Sequence, residues 1–238
     1  MGAYENMIKI EEIRRRMGEG DYETAQKILD TIPLRKIKNT IDLSIMVEVF
    51  EKNGKYEEAF ELLLKIYQKS KTRKVVFQLT TLSIKLLHVE DAEYYFQEYQ
   101  RLAPNDFYNY IFRYKIDKLK GEPYETLIAT LVKLKHKAYI EKWAYELAKL
   151  YYKAGMEEEC IQECSDIILW FGKGSYVEKA KMLREYFSGE TSKEKMIEEL
   201  KRRAQLAKQS KEFQDDSEDI ADLSNSSEEN NKDSEKEK

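Results

Sequence analysis

The sequence predicts an all-α fold, an α-solenoid of stacked pairs of short helices. Three observations predict it. Glycine and proline are scarce, 9 and 3 in 238 residues, and alternating runs of β-branched residues are absent, so little in the chain would punctuate hairpins. Glycines recur at Gly20, Gly54, Gly121, Gly155 and Gly189, with spacings of 34, 67, 34 and 34 and one missing near Leu87–His88. A small or apolar residue follows each turn at a nearly constant offset: Ala25, Ala59, Ala92, Leu127 and Cys160.

The elements can be justified in order. "EGDYETAQ" (Glu19–Gln26) and "NGKYEEAF" (Asn53–Phe60) are nearly one phrase written twice, and Tyr22, Tyr56 and Tyr124 keep the same phase. A period near 34 with helical content is the tetratricopeptide signature. Glycine takes the turn between the two helices because it tolerates positive φ. Small residues let the helices approach where they cross. The second unit supplies Leu43, Met46, Val47 and Phe50 on its first helix, then Ala59 and Leu63. The third supplies Val76, Leu79, Thr80 and Ser83, then Ala92 and Phe96, and Pro104 closes it. The fifth supplies Ala144, Leu147, Ala148 and Tyr151, then Cys160 and Cys164. In the fourth, Leu127 falls one place late, which leaves two registers open.

The sixth unit is irregular. Tyr176, Ala180, Leu183 and Phe187 form one helical face, and Gly189 ends it in phase. Thr191 and Glu194 read as a capping box that opens a last helix with the apolar stripe Met196, Leu200 and Ala204. A terminal unit with a polar outer face serves as a cap. No unit can bury its apolar face alone, so stacking makes the core. The expected organisation is a solenoid of five clear units and a capping unit over 1–213, followed by a disordered acidic tail over 214–238. That tail has few apolar groups to offset chain entropy.

Charge divides along the same line. The net charge is -4; residues 215–238 hold ten acids and three lysines, net -7, which leaves +3 for the rest. A body so weakly basic lacks the footprint of a nucleic-acid binder, although Arg14–Arg16 and Lys201–Arg203 are basic runs. No apolar stretch approaches the ~18 residues of a membrane span. The start, "MGAYENMIKIEEIRRRM", lacks the apolar core of a signal peptide, so a cytoplasmic protein is expected.

The stretch Leu147–Ala180, "LAKLYYKAGMEEECIQECSDIILWFGKGSYVEKA", resembles a segment common in clostridial proteins of the tetratricopeptide-repeat type. Residues 10–188 as a whole look like a bacterial protein of that family. The resemblance implies a right-handed superhelix whose first helices line a concave face that binds peptides or partner proteins. It brings no catalytic residue, metal ligand or cofactor.

The residues themselves carry little chemistry. Cys160 and Cys164 share a helical face at core positions and read as packed thiols, since structural zinc needs four ligands and the only histidines, His88 and His136, are distant in sequence. His88 falls where the third unit lacks its glycine and reads as a turn residue. His136 sits at a basic helix end, where it complements the dipole. "GEG" and "GKG" have no Walker spacing. The richest place is "FYNYIFRY" (Phe107–Tyr114), with five aromatic rings in eight residues. Tyr108, Phe112, Lys115 and Leu119 lie at i, i+4, i+7 and i+11; either they face a groove or the helix packs on two sides and buries its rings. Lysines recur on first helices: Lys52, Lys74, Lys85, Lys115, Lys118, Lys149 and Lys153.

The expected function is a non-catalytic adaptor or scaffold. Its candidate partner-binding residues are Tyr108, Phe112, Lys115, Lys118, Lys149, Lys153 and Lys74, facing an acidic, partly apolar protein or peptide. No cofactor or small-molecule substrate is expected. The tail segment "DDSEDIADL" (Asp215–Leu223), with Ile220 and Leu223 among carboxylates, has that chemistry itself. The alternatives are a peptide-sensing regulator and a nucleic-acid-associated protein.

Overall fold

The computed structural model describes residues 3–189 and 191–209. These form twelve α-helices and no strand. In order they are Ala3–Gly18 (α1), Tyr22–Leu29 (α2), Thr40–Lys52 (α3), Tyr56–Lys69 (α4), Arg73–Lys85 (α5), Val89–Leu102 (α6), Tyr108–Lys120 (α7), Tyr124–Lys137 (α8), Glu141–Lys153 (α9), Glu157–Phe171 (α10), Ser175–Phe187 (α11) and Lys193–Gln209 (α12). A 3-10 turn, Leu34–Lys36, precedes α3. The chain divides into two compact units, Met1–Gly121 and Glu122–Lys238. The first holds α1–α7 and the second α8–α12. The tail expected over 214–238 lies outside the described residues.

In the first unit each helix pair packs on the next, so the core runs continuously from Ile10 and Ile13 of α1 to Phe112 and Ile116 of α7. The repeat positions read from the sequence are its interior. Ala25, Ala59 and Ala92 are fully buried, as are Met46, Val47, Val76 and Leu79. Thr80 and Ser83 are buried too, and the Thr80 hydroxyl donates to the Val76 carbonyl at 2.8 Å, which satisfies it inside the helix. Side-chain caps start several helices: Asp21 accepts from the Thr24 amide, Asn39 from Ile41 and Thr72 from Val75.

The turns inside the pairs share one hydrogen-bond pattern. The Gly20 amide donates to the Met17 carbonyl at 3.0 Å, and the next amide, Asp21, reaches back to Arg16 at 2.9 Å. Gly54 and Lys55, Leu87 and His88, and Gly155 and Met156 repeat both bonds. This is a Schellman closure, which needs a left-handed residue at its centre. Gly54 takes φ +74°. In the third pair the left-handed residue is Leu87, at φ +60°, while His88 is the N-cap of α6. The missing glycine is thus replaced by Leu87, and His88 sits one place beyond it. A left-handed non-glycine residue costs ~1–2 kcal/mol, and the Leu87 side chain is 66% exposed, so burial returns little. Leu87→Gly is expected to stabilise the chain by ~0.5–1 kcal/mol, after glycine's own entropy cost, and to raise the thermal midpoint. An unchanged or lower midpoint would show that the turn is not strained.

The fourth pair breaks the register by one residue. Gly20 and Gly54 stand two places before the next helix, but Glu122 and Pro123 both intervene between Gly121 and Tyr124. The insertion explains why Leu127 arrives late, and the unit boundary falls in this same turn.

In the second unit, Ala144, Ala148, Cys160, Cys164, Val177, Ala180 and Leu183 form the core between α9, α10 and α11. Met196 and Leu200 of α12 close it. The cap of α12 differs from the capping box expected at Thr191. Ser192 accepts from the Lys195 amide at 3.4 Å, whereas the Thr191 amide is already used to close α11 onto the Glu185 carbonyl at 3.3 Å.

Candidate functional site

The aromatic run of α7 faces inward. Phe112 is 3% exposed, with its ring centroid 5.1 Å from Phe77, 5.3 Å from Tyr99 and 6.3 Å from Phe96. Tyr108 is half-buried, meets Phe77 edge-on at 4.8 Å and stacks on Phe107 at 4.7 Å. The groove-facing expectation is therefore corrected for Phe112. Helix α7 packs against both α5 and α6, so two of its sides need rings. Asp106 ties the same three helices together: it accepts from Tyr99 Oη and the Tyr108 amide, both at 2.9 Å, and pairs with Arg73.

The lysines separate into buried and accessible. Lys149 is 2% exposed, with Nζ 2.7 Å from the Glu146 carboxylate and 5.7 Å from the Tyr145 ring centroid. A side chain so enclosed cannot steer a partner, and Lys149 leaves the accessible set. Lys115 and Lys153 are half-buried, and Lys74 and Lys118 are exposed.

What recurs on the first unit's surface is a lysine over a tyrosine. Lys52, in the last turn of α3, lies 5.8 Å from the centroid of Tyr22, the first residue of α2. Lys85, at the same place in α5, lies 4.4 Å from Tyr56, the first residue of α4. Burial pushes the Glu51 carboxyl up, against the opposing field of Lys85. In the next pair both partners vanish together, since Val89 replaces the ring and Leu119 the lysine. The equivalent positions Tyr124 and Lys153 restore both residue types in the second unit. Sequence reading found the tyrosine phase and the lysines separately. The signal that joins them is their shared distance from the turn.

The second unit holds a charge cluster built around the buried Glu163. Lys135 Nζ stands 2.5 Å from Glu163 Oε2 and 3.0 Å from Asp166 Oδ2, and Tyr139 Oη donates to Glu163 Oε1 at 3.2 Å. Burial pushes the Glu163 carboxyl up, and Lys135 holds it partly down. Lys135→Met leaves that acid without its cation. A raised folded-state pKa means the folded chain holds the proton more tightly, so stability is present at low pH and is lost as pH rises through the folded value. The variant is expected to lose ~1–2 kcal/mol near pH 8, discounted for the partial exposure of Lys135, and less at pH 5. Parallel melts that fall equally at both pH values would contradict this.

The cysteines pack side by side at zero exposure, and Cys160 Sγ donates to the Ala148 carbonyl at 3.3 Å. Its hydrogen bond to Cys160 and then burial push the Cys164 thiol up, so Cys164 is no nucleophile at neutral pH. Among the described residues no group of three or more His, Cys, Asp or Glu could hold a metal. His88 Nε2 lies 3.6 Å from Glu57, and its ring meets Phe60 edge-on. His136 lies in the last turn of α8. The basic runs face their own acids. Arg15 and Arg16 bind Glu12, holding its carboxyl at about 2, and Arg202 and Arg203 bind Glu199. Among the described residues no helix is long and apolar enough to cross a membrane.

One surface feature went unread in the sequence. Leu169 is 80% exposed and Trp170 73%, on the last turn of α10. The buried stripe of that helix runs Cys160, Cys164, Ile167, and these two residues fall off it. An apolar pair out of phase was the available signal.

No family profile matches the chain, and no curated protein matches it significantly. Solved structures do resemble it. A tetratricopeptide repeat protein from Parabacteroides merdae is 13% identical and superposes with a TM-score of 0.67 over 91% of this chain and 82% of its own. MamA, residues 41 to the end, from Desulfovibrio magneticus is 15% identical, with a TM-score of 0.58 over 71% of this chain and 95% of its own. A thermophilic tetratricopeptide protein from Thermus thermophilus is 15% identical, with a TM-score of 0.50 over 77% and 97%. At such identities the likeness is one of fold: a bacterial-type tetratricopeptide helical repeat.

Proposed function

We propose that the chain is a non-catalytic scaffold that binds a protein or peptide partner, and that the partner is an extended acidic segment crossing the first helices of the Met1–Gly121 unit. The observation that carries this reading is the recurrence of a lysine over a tyrosine, Lys52 with Tyr22 and Lys85 with Tyr56. Packed helices stand ~8–10 Å apart and an extended chain advances ~3.3 Å per residue, so every third side chain of such a segment meets a new helix. The ammonium groups would steer a carboxylate-bearing chain and the rings would anchor it. Lys74 and Lys118, both exposed, extend the basic character along α5 and α7. The fold likeness supports a scaffold rather than an enzyme.

Selection of a displayed peptide library against the full chain is expected to return acidic sequences. The double substitution Lys52→Glu and Lys85→Glu is expected to weaken a selected peptide at least tenfold, ~1.4 kcal/mol, and more at low salt. The stability read from the circular dichroism melt should fall by no more than about 1 kcal/mol, since both lysines are exposed and the acid in their field, Glu51, is only half-buried. Binding indifferent to both substitutions would remove this reading.

A further inference from the structure

The α10 terminus presents Leu169 and Trp170 almost fully to solvent, beside Tyr139 and Phe171. Trp170 meets Tyr139 edge-on at 6.2 Å, and Tyr139 lies against Phe171 at 5.2 Å, so the three rings form one platform, with Leu169 exposed next to Trp170 in the chain. Tryptophan is the residue most often found at the energetic centre of an interface. Its surroundings are basic. His136 and Lys137 are exposed within three residues of Tyr139, and Lys173 is exposed three residues after Trp170. The acids of the neighbourhood are engaged: Asp166 and Glu163 with Lys135, and Glu141 with the Val177 amide at 3.3 Å.

We propose that this platform is a docking site for the chain's own segment Asp215–Leu223. That segment carries five carboxylates, with Ile220 and Leu223 three apart among them. Its chemistry complements the platform: apolar groups for the rings, negative charge for the lysine rim. The path also fits. Helix α12 returns to the end of α11 that adjoins α10, since Arg203 lies 3.8 Å from Glu178 in the first turn of α11, and the Glu178 amide bonds the Gly174 carbonyl. From Gln209 onward Ile220 is eleven residues away, a reach of up to ~36 Å. A tether of that length holds the segment at an effective concentration of about millimolar, enough for a weak contact to be occupied. The surface is distinct from the lysine–tyrosine rows of the first unit, so either reading stands without the other.

The full chain has two tryptophans, Trp143 and Trp170. With Trp143→Phe in the otherwise complete protein, emission reports Trp170 alone. It is expected at shorter wavelength, and less quenched by acrylamide, than in the same protein carrying Ile220→Ser and Leu223→Ser, which keep every charge. The shift should shrink at high salt and be independent of protein concentration. Identical spectra in the two proteins would overturn the proposal. A shift that grows with concentration and survives the serine substitutions would assign the platform to a second copy instead, and equally overturn it. Should Trp143→Phe fail to fold, zero-length carbodiimide coupling of the unmodified chain decides. Links from Asp219 or Asp222 to Lys137 or Lys173 within one molecule, distinguished by mixing isotopically labelled and unlabelled protein, are expected. Coupling only between molecules, or none to these lysines, would overturn the proposal.

Discussion

Ala59→Arg is expected to collapse the first unit, at a cost of ~3–5 kcal/mol. Ala59 is fully buried in the first turn of α4, where its amide bonds the Lys55 carbonyl at 3.1 Å. At zero exposure within the core cluster, a side chain as large and charged as arginine must either displace its neighbours or carry its charge out of water. Domains carry only ~5–15 kcal/mol of net stability, so a loss of this size removes a large fraction of it. Each pair leans on its neighbours, and the loss is expected to spread to α3 and α5 rather than stay local. Circular dichroism should show a large drop in midpoint. Glu58→Arg, one residue earlier and exposed, is the control and should leave the midpoint within about 0.5 kcal/mol of the parent. Equal melts for the two variants would place the crossing elsewhere.

The fold was legible because the repeat writes its most constrained positions into residue type. A left-handed turn favours glycine, and a helix crossing favours alanine or cysteine. Gly54, Ala59 and Cys160 therefore announce their roles. Leu87 does not, because nothing in a leucine signals that it must adopt positive φ; only its phase does. The extra residue before Tyr124 was visible as a late Leu127, but spacing alone could not say whether the turn or the helix had absorbed it. The surface was harder to read. Lys149 has the same composition signal as Lys52, yet Glu146 and Tyr145 enclose one while the other is exposed over Tyr22. Burial of a long cation depends on partners from neighbouring turns and helices, which a one-dimensional pattern does not show. Leu169 and Trp170 passed unnoticed because apolar residues near a helix end read as core unless their phase is checked.

Phe112→Ala is expected to cost ~3–5 kcal/mol, which separates the two readings the sequence left open, a ring facing a groove and a ring buried between packed helices. At 3% exposure the ring is enclosed by Phe77, Phe96, Tyr99 and Tyr108, with the closest centroid at 5.1 Å. Tilted and edge-to-face arrangements of this kind add ~0.5–1.5 kcal/mol per pair beyond the buried area. Truncation therefore removes both the transfer energy and several ring contacts. It also leaves a cavity against the rings of Tyr99 and Tyr108, the two residues that Asp106 binds to hold α6 against α7. Phe112→Leu keeps most of the volume and should cost less, ~1–2 kcal/mol, chiefly the ring–ring part. The ordering Ala, then Leu, then parent in rising midpoint is the signature of packing. A melt unmoved by Phe112→Ala, together with weakened binding of a selected acidic peptide, would restore the groove assignment and move the partner site onto α7.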